Sequence, residues 1–308
     1  MASLQARIAV WMIKWRVKRR LRGVRDYRVA RQILRPDPYR VPAKIRISPA
    51  NVNGVSGEWL EGANPGNGVV LYLHGGGYFA CSPESHRPIS SSFALENFRV
   101  FAVGYRLAPE HRFPAALEDA TAAYRGLLAI GHSPKSIVVV GDSAGGGLAL
   151  SMMVALRDAG IPLPAAAALF SPWTDLAATG DSVRTNNRRC AMFNGPDIGP
   201  SARYYLDQLP ATTPLASPLY ANLKGLPPLL IHVGADEILR DDSTRLAERA
   251  RAAGVPVELK IWPVVPHSWQ LAPHKIPEAR QSLRESAEFL RAQIVGACPA
   301  SVELSANA

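Results

Sequence analysis

The chain has few cysteines, a modest share of charged residues and no long apolar run. Its three cysteines, Cys81, Cys190 and Cys298, are odd in number and widely spaced. That pattern argues against a disulfide framework and a zinc site, and it favours a reducing, cytoplasmic compartment. No stretch approaches the length of a membrane-spanning helix, and repeats and low-complexity segments are absent. The 308 residues, 47% of them hydrophobic, are within reach of one large α/β domain.

Positive charge is concentrated at one end of the sequence. Residues 1–46 contain 14 Lys or Arg and only two acids, Asp26 and Asp37, whereas the remainder is close to neutral. The net charge of +10 therefore describes this segment and not the body of the protein. Because no recognition motif accompanies it, nucleic acid is not expected as a partner.

The same segment predicts an amphipathic basic helix over residues 3–22. Leu4, Ile8, Trp11 and Trp15 are spaced by four, three and four, so they share one helical face. Tryptophan with lysine and arginine is typical of helices that lie on anionic membranes. The face can equally dock on the protein, either as a lid or as a simple solvated helix. We favour the lid, with weak peripheral membrane association as a secondary property. A homodimer is also compatible with the sequence.

Short apolar runs alternate with helical patterns along the rest of the chain. This alternation predicts an α/β fold with a mostly parallel sheet covered by helices on both faces. Residues 172–217 fit no core strand and predict an insertion over the carboxyl edge of the sheet. We expect a cap segment at 1–46, a catalytic domain at 47–298 with a cap insertion at about 176–215, and a disordered tail at 299–308. Core strands are predicted at 69–73, 100–103, 137–140, 165–170, 229–233 and 257–262.

A nucleophilic serine is predicted at the third of these strands. The segment 137–147, IVVVGDSAGGG, contains a G-x-S-x-G pattern between a β-branched run and a helical stretch. This is the context of a nucleophile elbow, in which a strained turn exposes the serine hydroxyl. Gly141 and Gly145 have no Cβ to collide at so sharp a turn. Ser143 is therefore the candidate nucleophile.

A serine needs a base, and the base needs an orienting acid, in the chain order Ser, acid, His. His267 lies in a Pro-flanked loop about four residues after the last predicted strand, whereas His274 lies nearer the final helix and is expected to face solvent. We therefore choose His267 as the base.

The acid is expected just past the strand at 229–233. Asp236 lies at the carboxyl end of that strand, where α/β sheets place functional groups. Glu237 is adjacent but expected to point elsewhere. Asp241 and Asp242 suit the first turn of a helix, where the dipole favours acids. Asp236 is therefore the candidate acid.

Stabilisation of an oxyanion is predicted at residues 74–77, His-Gly-Gly-Gly, which follow the first core strand. Consecutive glycines let backbone N–H groups turn towards a developing negative charge. We expect Gly75, Gly76 and Ala144 to supply the donors.

Taken together, these motifs resemble those of the hormone-sensitive-lipase-like (bacterial family IV) esterases of the α/β-hydrolase fold. The segment YRLAPE at 105–110 and SPW at 171–173 add to the likeness, which runs from about residue 69 to 290. The resemblance implies a carboxylesterase for short-to-medium acyl esters, with no cofactor and no metal. It also implies a lid built from the N-terminal helices and the insertion.

This likeness places Tyr78 and Trp269 in the substrate pocket. Many members have Gly-Phe where this chain has Ser268-Trp269, so the acyl preference is not implied. A lactone hydrolase or an amidase would use the same machinery. Some relatives are non-catalytic receptors that have lost a triad residue, but all candidate triad positions are present here.

Overall fold

A single mixed sheet organises the part of the chain that the computed structural model describes, residues 2–294. Its eight strands lie in the order β1-β2-β4-β3-β5-β6-β7-β8. The pairs β1–β2 and β2–β4 are antiparallel and all others are parallel, which confirms the predicted fold class. The strands are β1 Arg46–Val52, β2 Val55–Glu61, β3 Val69–Leu73, β4 Arg99–Val103, β5 Ile137–Asp142, β6 Ala166–Phe170, β7 Leu229–Gly234 and β8 Val257–Trp262.

Helices cover both faces of this sheet. On one face Leu71 and Leu73 of β3 pack into a cluster with residues of the helices 115–129, 144–158 and 240–252. On the other face Val70 and Tyr72 pack with residues of the helices 87–95 and 277–293. Because both faces are covered, β3, β5, β6 and β7 are buried along their whole lengths, and this explains their continuous apolar sequences.

The helices largely follow the predicted pattern. One that the sequence pattern does not predict, α4 (Arg87–Leu95), contains three consecutive serines, which have weak helix propensity. It forms because Ile89 and Phe93 pack against the sheet. The predicted tail at 299–308 lies outside the described residues. The helices are α1 Leu4–Ile13, α2 Arg19–Leu21, α3 Tyr27–Leu34, α4 Arg87–Leu95, α5 Ala115–Ala129, α6 Ala144–Asp158, α7 Ser182–Thr185, α8 Gly195–Leu206, α9 Arg240–Ala252 and α10 Pro277–Gln293.

The predicted N-terminal helix is present, but it docks by a different face. A π-helical turn, Lys14–Lys18, joins α1 to α2. Leu4, Trp11 and Trp15 are 70%, 68% and 58% exposed, whereas Ala6 is buried. Only Ile8 and Trp15 of the predicted stripe border a cleft of the body, so the prediction that the whole stripe packs on the body is wrong. The small Ala6 side chain lets the helix approach a cluster containing Trp262 and Trp269, which the bulky stripe could not do.

The N-terminal segment also contacts the insertion between β6 and β7. Lys18 Nζ donates to the backbone carbonyls of Asn187 and Cys190, the latter at 2.9 Å. Farther along, Arg25 pairs with Asp197 at 3.1 Å. No helix within residues 2–294 is long and apolar enough to cross a membrane.

Candidate active site

Ser143 occupies a strained turn between β5 and α6. Its backbone has φ 52° and ψ −123°, a conformation that L-residues rarely adopt. The turn is tight because a Cβ on Gly141 would lie 2.4 Å from the Gly145 carbonyl oxygen, and one on Gly145 would lie 2.0 Å from that of Leu73. The strand–turn–helix context predicted for Ser143 is thus present, and both glycines are required by close backbone approach.

His267 lies in the loop after β8 and shares the cleft of Ser143. Its Nδ1 donates a hydrogen bond of 2.5 Å to Oε2 of Glu237. The other oxygen of Glu237 accepts the Ser171 hydroxyl at 2.6 Å and the Gly234 N–H at 2.7 Å. The opposite ring atom, His267 Nε2, has no hydrogen-bond partner among residues 2–294. The ring is therefore held at one nitrogen and available at the other.

The structure contradicts the choice of Asp236 as the acid that orients His267. The Asp236 side chain is 38% exposed and its carboxylate lies 3.4 Å from Nε of Arg189. In the turn after β7 the Glu237 N–H bonds back to the Gly234 carbonyl. This reversal points the Glu237 side chain over the end of the strand and leaves Asp236 on the outside. Glu237, which was expected to point elsewhere, holds the position predicted for its neighbour.

The other candidate acids lie in the first turn of α9, as predicted. Asp241 accepts the Ser182 N–H at 2.7 Å. Asp242 is buried and accepts the N–H groups of Thr174 and Asp175, each at 2.8 Å. Burial, and then the charge of Asp175, raise the pKa of Asp242 to about 8. Asp242 thus fastens the loop after β6 to α9, and Asp241 fastens the start of α7 to it.

The glycine loop after β3 requires a second correction. The N–H of Gly75 donates to Oδ1 of Asp142 at 3.0 Å, so it is not available to an oxyanion. The N–H groups of Gly76 and Gly77 make no hydrogen bond within the described chain. Both residues have positive φ, 116° and 64°, and a Cβ on Gly76 would lie 2.1 Å from the Ala80 carbonyl oxygen. The free amides of this loop therefore belong to Gly76 and Gly77, and Ala144 offers another at the first position of α6.

Asp142 connects three loops of the site. Besides the Gly75 N–H, its carboxylate accepts the hydroxyls of Tyr72 at 2.6 Å and Ser268 at 3.0 Å. It also lies 3.4 Å from Nε2 of His86. Burial alone would raise the pKa of Asp142, but the contacts with His86, Tyr72 and Ser268 outweigh burial and hold the pKa well below its usual range. One carboxylate thus links the glycine loop, the serine turn and the loop of His267.

This connection predicts a positioning role for Asp142. An asparagine amide in its place would present a donor where the carboxylate accepts, so at least one of the groups that donate to it would lose its acceptor. We expect Asp142→Asn to lower kcat on the order of 10²-fold with little change in KM, because a small misplacement of reacting groups is that costly. Steady-state kinetics would measure this. The control is Asp175→Asn, equally buried but outside the site, which should keep kcat. Equal losses of kcat in both variants would contradict the role.

The cleft above Ser143 has a volume of about 1180 Å³ and largely apolar walls. Trp269 is among the residues that line it, with 1% of its surface exposed. Tyr78 does not line it: it is buried and stacks on Tyr205 with ring centroids 3.9 Å apart. The Tyr78 hydroxyl lies against α6, 2.9 Å from where a Cβ on Gly147 would be. Further residues of the wall are Phe79, Trp173, Met192, Phe193, Ile198 and Leu239.

The N-terminal segment forms part of the cleft lining through Ile8, Met12 and Val17. It is anchored at its start by Ser3, whose N–H and hydroxyl donate to Glu278 at 2.6 and 2.8 Å. At its far end Arg31 of α3 donates to the carbonyls of Phe79 and Ala108 and to Glu110. The basic segment therefore spans the cleft and is fixed on both sides of it.

Comparison with known proteins places this geometry among esterases. A family model described as the alpha/beta hydrolase fold matches residues 70–271. An acetyl-hydrolase from Streptomyces hygroscopicus is 45% identical, over 78% of this chain and 81% of that protein.

Solved structures agree over nearly the whole chain. A crystal structure of an esterase from the bacterial hormone-sensitive lipase family has a TM-score of 0.90 and 41% identity, covering 96% of this chain and 99% of that one. A structure of EstE5 soaked with p-nitrophenyl butyrate has a TM-score of 0.90 and 38% identity, covering 95% and 99%.

Proposed function

The chain belongs to the bacterial hormone-sensitive-lipase family of α/β-hydrolase-fold esterases, and on that premise we propose that it is a serine carboxylesterase acting through an acyl-enzyme intermediate. The observation that carries the proposal is the pairing of His267 with Glu237 in the cleft that the strained Ser143 also lines. One ring nitrogen is fixed by a buried carboxylate and the other makes no internal hydrogen bond. This is the arrangement that a general base for a serine requires.

In the proposed reaction the Ser143 hydroxyl attacks the ester carbonyl carbon while His267 Nε2 takes its proton. The tetrahedral intermediate collapses, the bond to the alkoxy oxygen breaks, and His267 returns the proton to the leaving alcohol. Water then repeats the sequence on the acyl-enzyme and releases the carboxylic acid. Glu237 keeps the imidazole in the tautomer that leaves Nε2 unprotonated, and it stabilises the imidazolium form.

The N–H groups of Gly76, Gly77 and Ala144 are proposed to bind the oxyanion. Their support is that two of them follow each other in a loop of positive φ and the third begins a helix. Amides fixed before the reaction need not reorganise as charge develops, and loss of one such donor typically costs roughly 2.7–4 kcal/mol.

The substrate class follows from the lining of the cleft. Walls that are largely aromatic and aliphatic suit an ester with an apolar acyl chain. We propose short-to-medium chains, and we propose that residues 1–46 and the insertion at about 176–215 together form the cap. No observation on residues 2–294 favours a lactone, an amide or a receptor role over ester hydrolysis.

Hydrolysis of p-nitrophenyl butyrate by the purified protein tests the proposal. We expect turnover by the wild type, a transient butyryl ester on Ser143 detected by mass, and no turnover by Ser143→Ala. A series from acetate to longer acyl groups, together with a lactone panel, would define the preference. Turnover indistinguishable from that of Ser143→Ala would overturn the proposal.

A further inference from the structure

The outer face of the N-terminal helix carries an exposed apolar stripe. We use this name for Leu4, Ile8, Trp11, Met12 and Trp15, which lie along one side of α1 and the π-helical turn. Their exposed fractions run from 38% for Met12 to 70% for Leu4. Large side chains that are exposed singly need no explanation, whereas a contiguous set of this kind marks a contact surface.

This surface is not the one that holds the helix on the protein. Ala6 faces the body and is buried, and Ser3 and Lys18 form the polar contacts with Glu278 and the insertion. The helix is therefore apolar on two sides. Because the contacts on the inner side hold the helix on the body, the exposed apolar stripe on the outer side is available to another partner.

Unpaired basic residues flank the stripe. Arg7, Arg16, Arg19 and Arg20 are exposed and form no ion pair within residues 2–294. The helical period of 3.6 residues places Arg7 and Lys14 along one border of the stripe and Arg16 along the other. Apolar side chains bordered by cations match the interface of an anionic bilayer, where aromatic rings enter the headgroup region and cations meet lipid charge.

We propose that this face of the N-terminal helix docks on an anionic lipid bilayer. The positive charge beside the stripe favours an anionic bilayer over a second copy of the chain as the partner, because two such basic faces would repel each other. Docking would also turn the cleft towards the bilayer, since Ile8, Met12 and Trp15 belong both to the stripe and to the cleft lining. An amphiphilic ester could then enter directly from the lipid. The proposal does not depend on ester hydrolysis, because binding is measured without a substrate.

Sedimentation with vesicles tests the proposal. We expect the full-length protein to sediment with an equal mixture of phosphatidylcholine and phosphatidylglycerol, and not with phosphatidylcholine alone. Rising salt should release it, since the attraction falls off within a Debye length. Tryptophan fluorescence should shift to the blue on binding and be quenched by lipids brominated near the headgroup.

Two variants separate the contributions without touching the cleft, because none of their residues lines it. Leu4→Ser with Trp11→Ser removes apolar contact, and Arg7→Gln with Lys14→Gln removes charge. Each pair should weaken binding on the order of tenfold or more, and the charge variant should also flatten the salt dependence. Both should hydrolyse a soluble ester like the wild type.

Controls carry comparable changes elsewhere on the surface. Leu95→Ser with Ile130→Ser alters exposed apolar residues, and Arg125→Gln with Lys135→Gln alters exposed cations. Both should bind vesicles like the wild type. The proposal fails if the wild type ignores anionic vesicles, or if all four variants bind equally. It fails equally if light scattering shows a dimer that only the Leu4 and Trp11 variant dissociates while vesicle binding is unchanged.

Discussion

Removal of either Ser143 or His267 should lower kcat by roughly 10⁴–10⁶-fold, and removal of both should cost little more. The reason is that a serine without its base, or a base without its serine, leaves the same residual catalysis by the remaining amides and the bound geometry. Steady-state kinetics of Ser143→Ala, His267→Ala and the double variant on p-nitrophenyl butyrate would show the non-additivity.

His274→Ala is the matched control for the base. His274 is exposed and lies 5.7 Å from the Tyr39 ring, so its loss should leave kcat unchanged. If the two single losses added up in the double variant, Ser143 and His267 would not act as one unit. If His274→Ala were the inactive variant, the base would be misassigned.

Glu237→Gln should lower kcat by about 10⁴-fold, the magnitude found when an orienting carboxylate becomes an amide in a serine protease. A glutamine can donate to His267 Nδ1, which favours the tautomer that carries its proton on Nε2. In that form the imidazole cannot take a proton from Ser143. The shape of the side chain is kept, so the loss should appear in kcat while the melting temperature changes little.

Asp236→Asn is the paired control, since it alters the neighbouring acid that lies outside the site. It should cost at most a fewfold change in kcat, because Asp236 contacts the exposed Arg189 and not the base. A large loss in Asp236→Asn together with an active Glu237→Gln would restore the assignment made from sequence.

The sequence predicts the region of the acid but not which of Asp236 and Glu237 faces His267. The strands, the serine turn and the place of His267 in the cleft were predictable because each depends on local pattern: continuous apolar runs, a glycine pair around Ser143, and a histidine in the loop after the last strand. Which of two adjacent acids faces inward depends instead on the backbone of a single turn. The sequence Gly-Ala-Asp-Glu has no periodicity from which the hydrogen bond of the Glu237 N–H to the Gly234 carbonyl could be predicted.

Two further differences have the same origin. The sequence shows three consecutive glycines, but only contact with Asp142, 67 residues away, reveals that the Gly75 amide is occupied. Likewise, the large apolar residues of α1 led to the prediction that their side of the helix faces the body. The side that does face it carries the small Ala6, which packs in one cluster with Trp269. In both cases the outcome depends on packing between residues far apart in the chain, and such contacts cannot be read from a single sequence.

The fastening of the N-terminal segment has a consequence for access to the cleft. Ser3, Lys18 and Arg31 hold it by partly exposed polar contacts, and few of its side chains are buried. Segments with few buried apolar contacts open locally at a free energy below that of global unfolding. The cleft can therefore exchange its contents while the sheet stays intact. Any molecule that binds only beneath the closed segment stabilises closure by mass action, so occupancy and local order rise together.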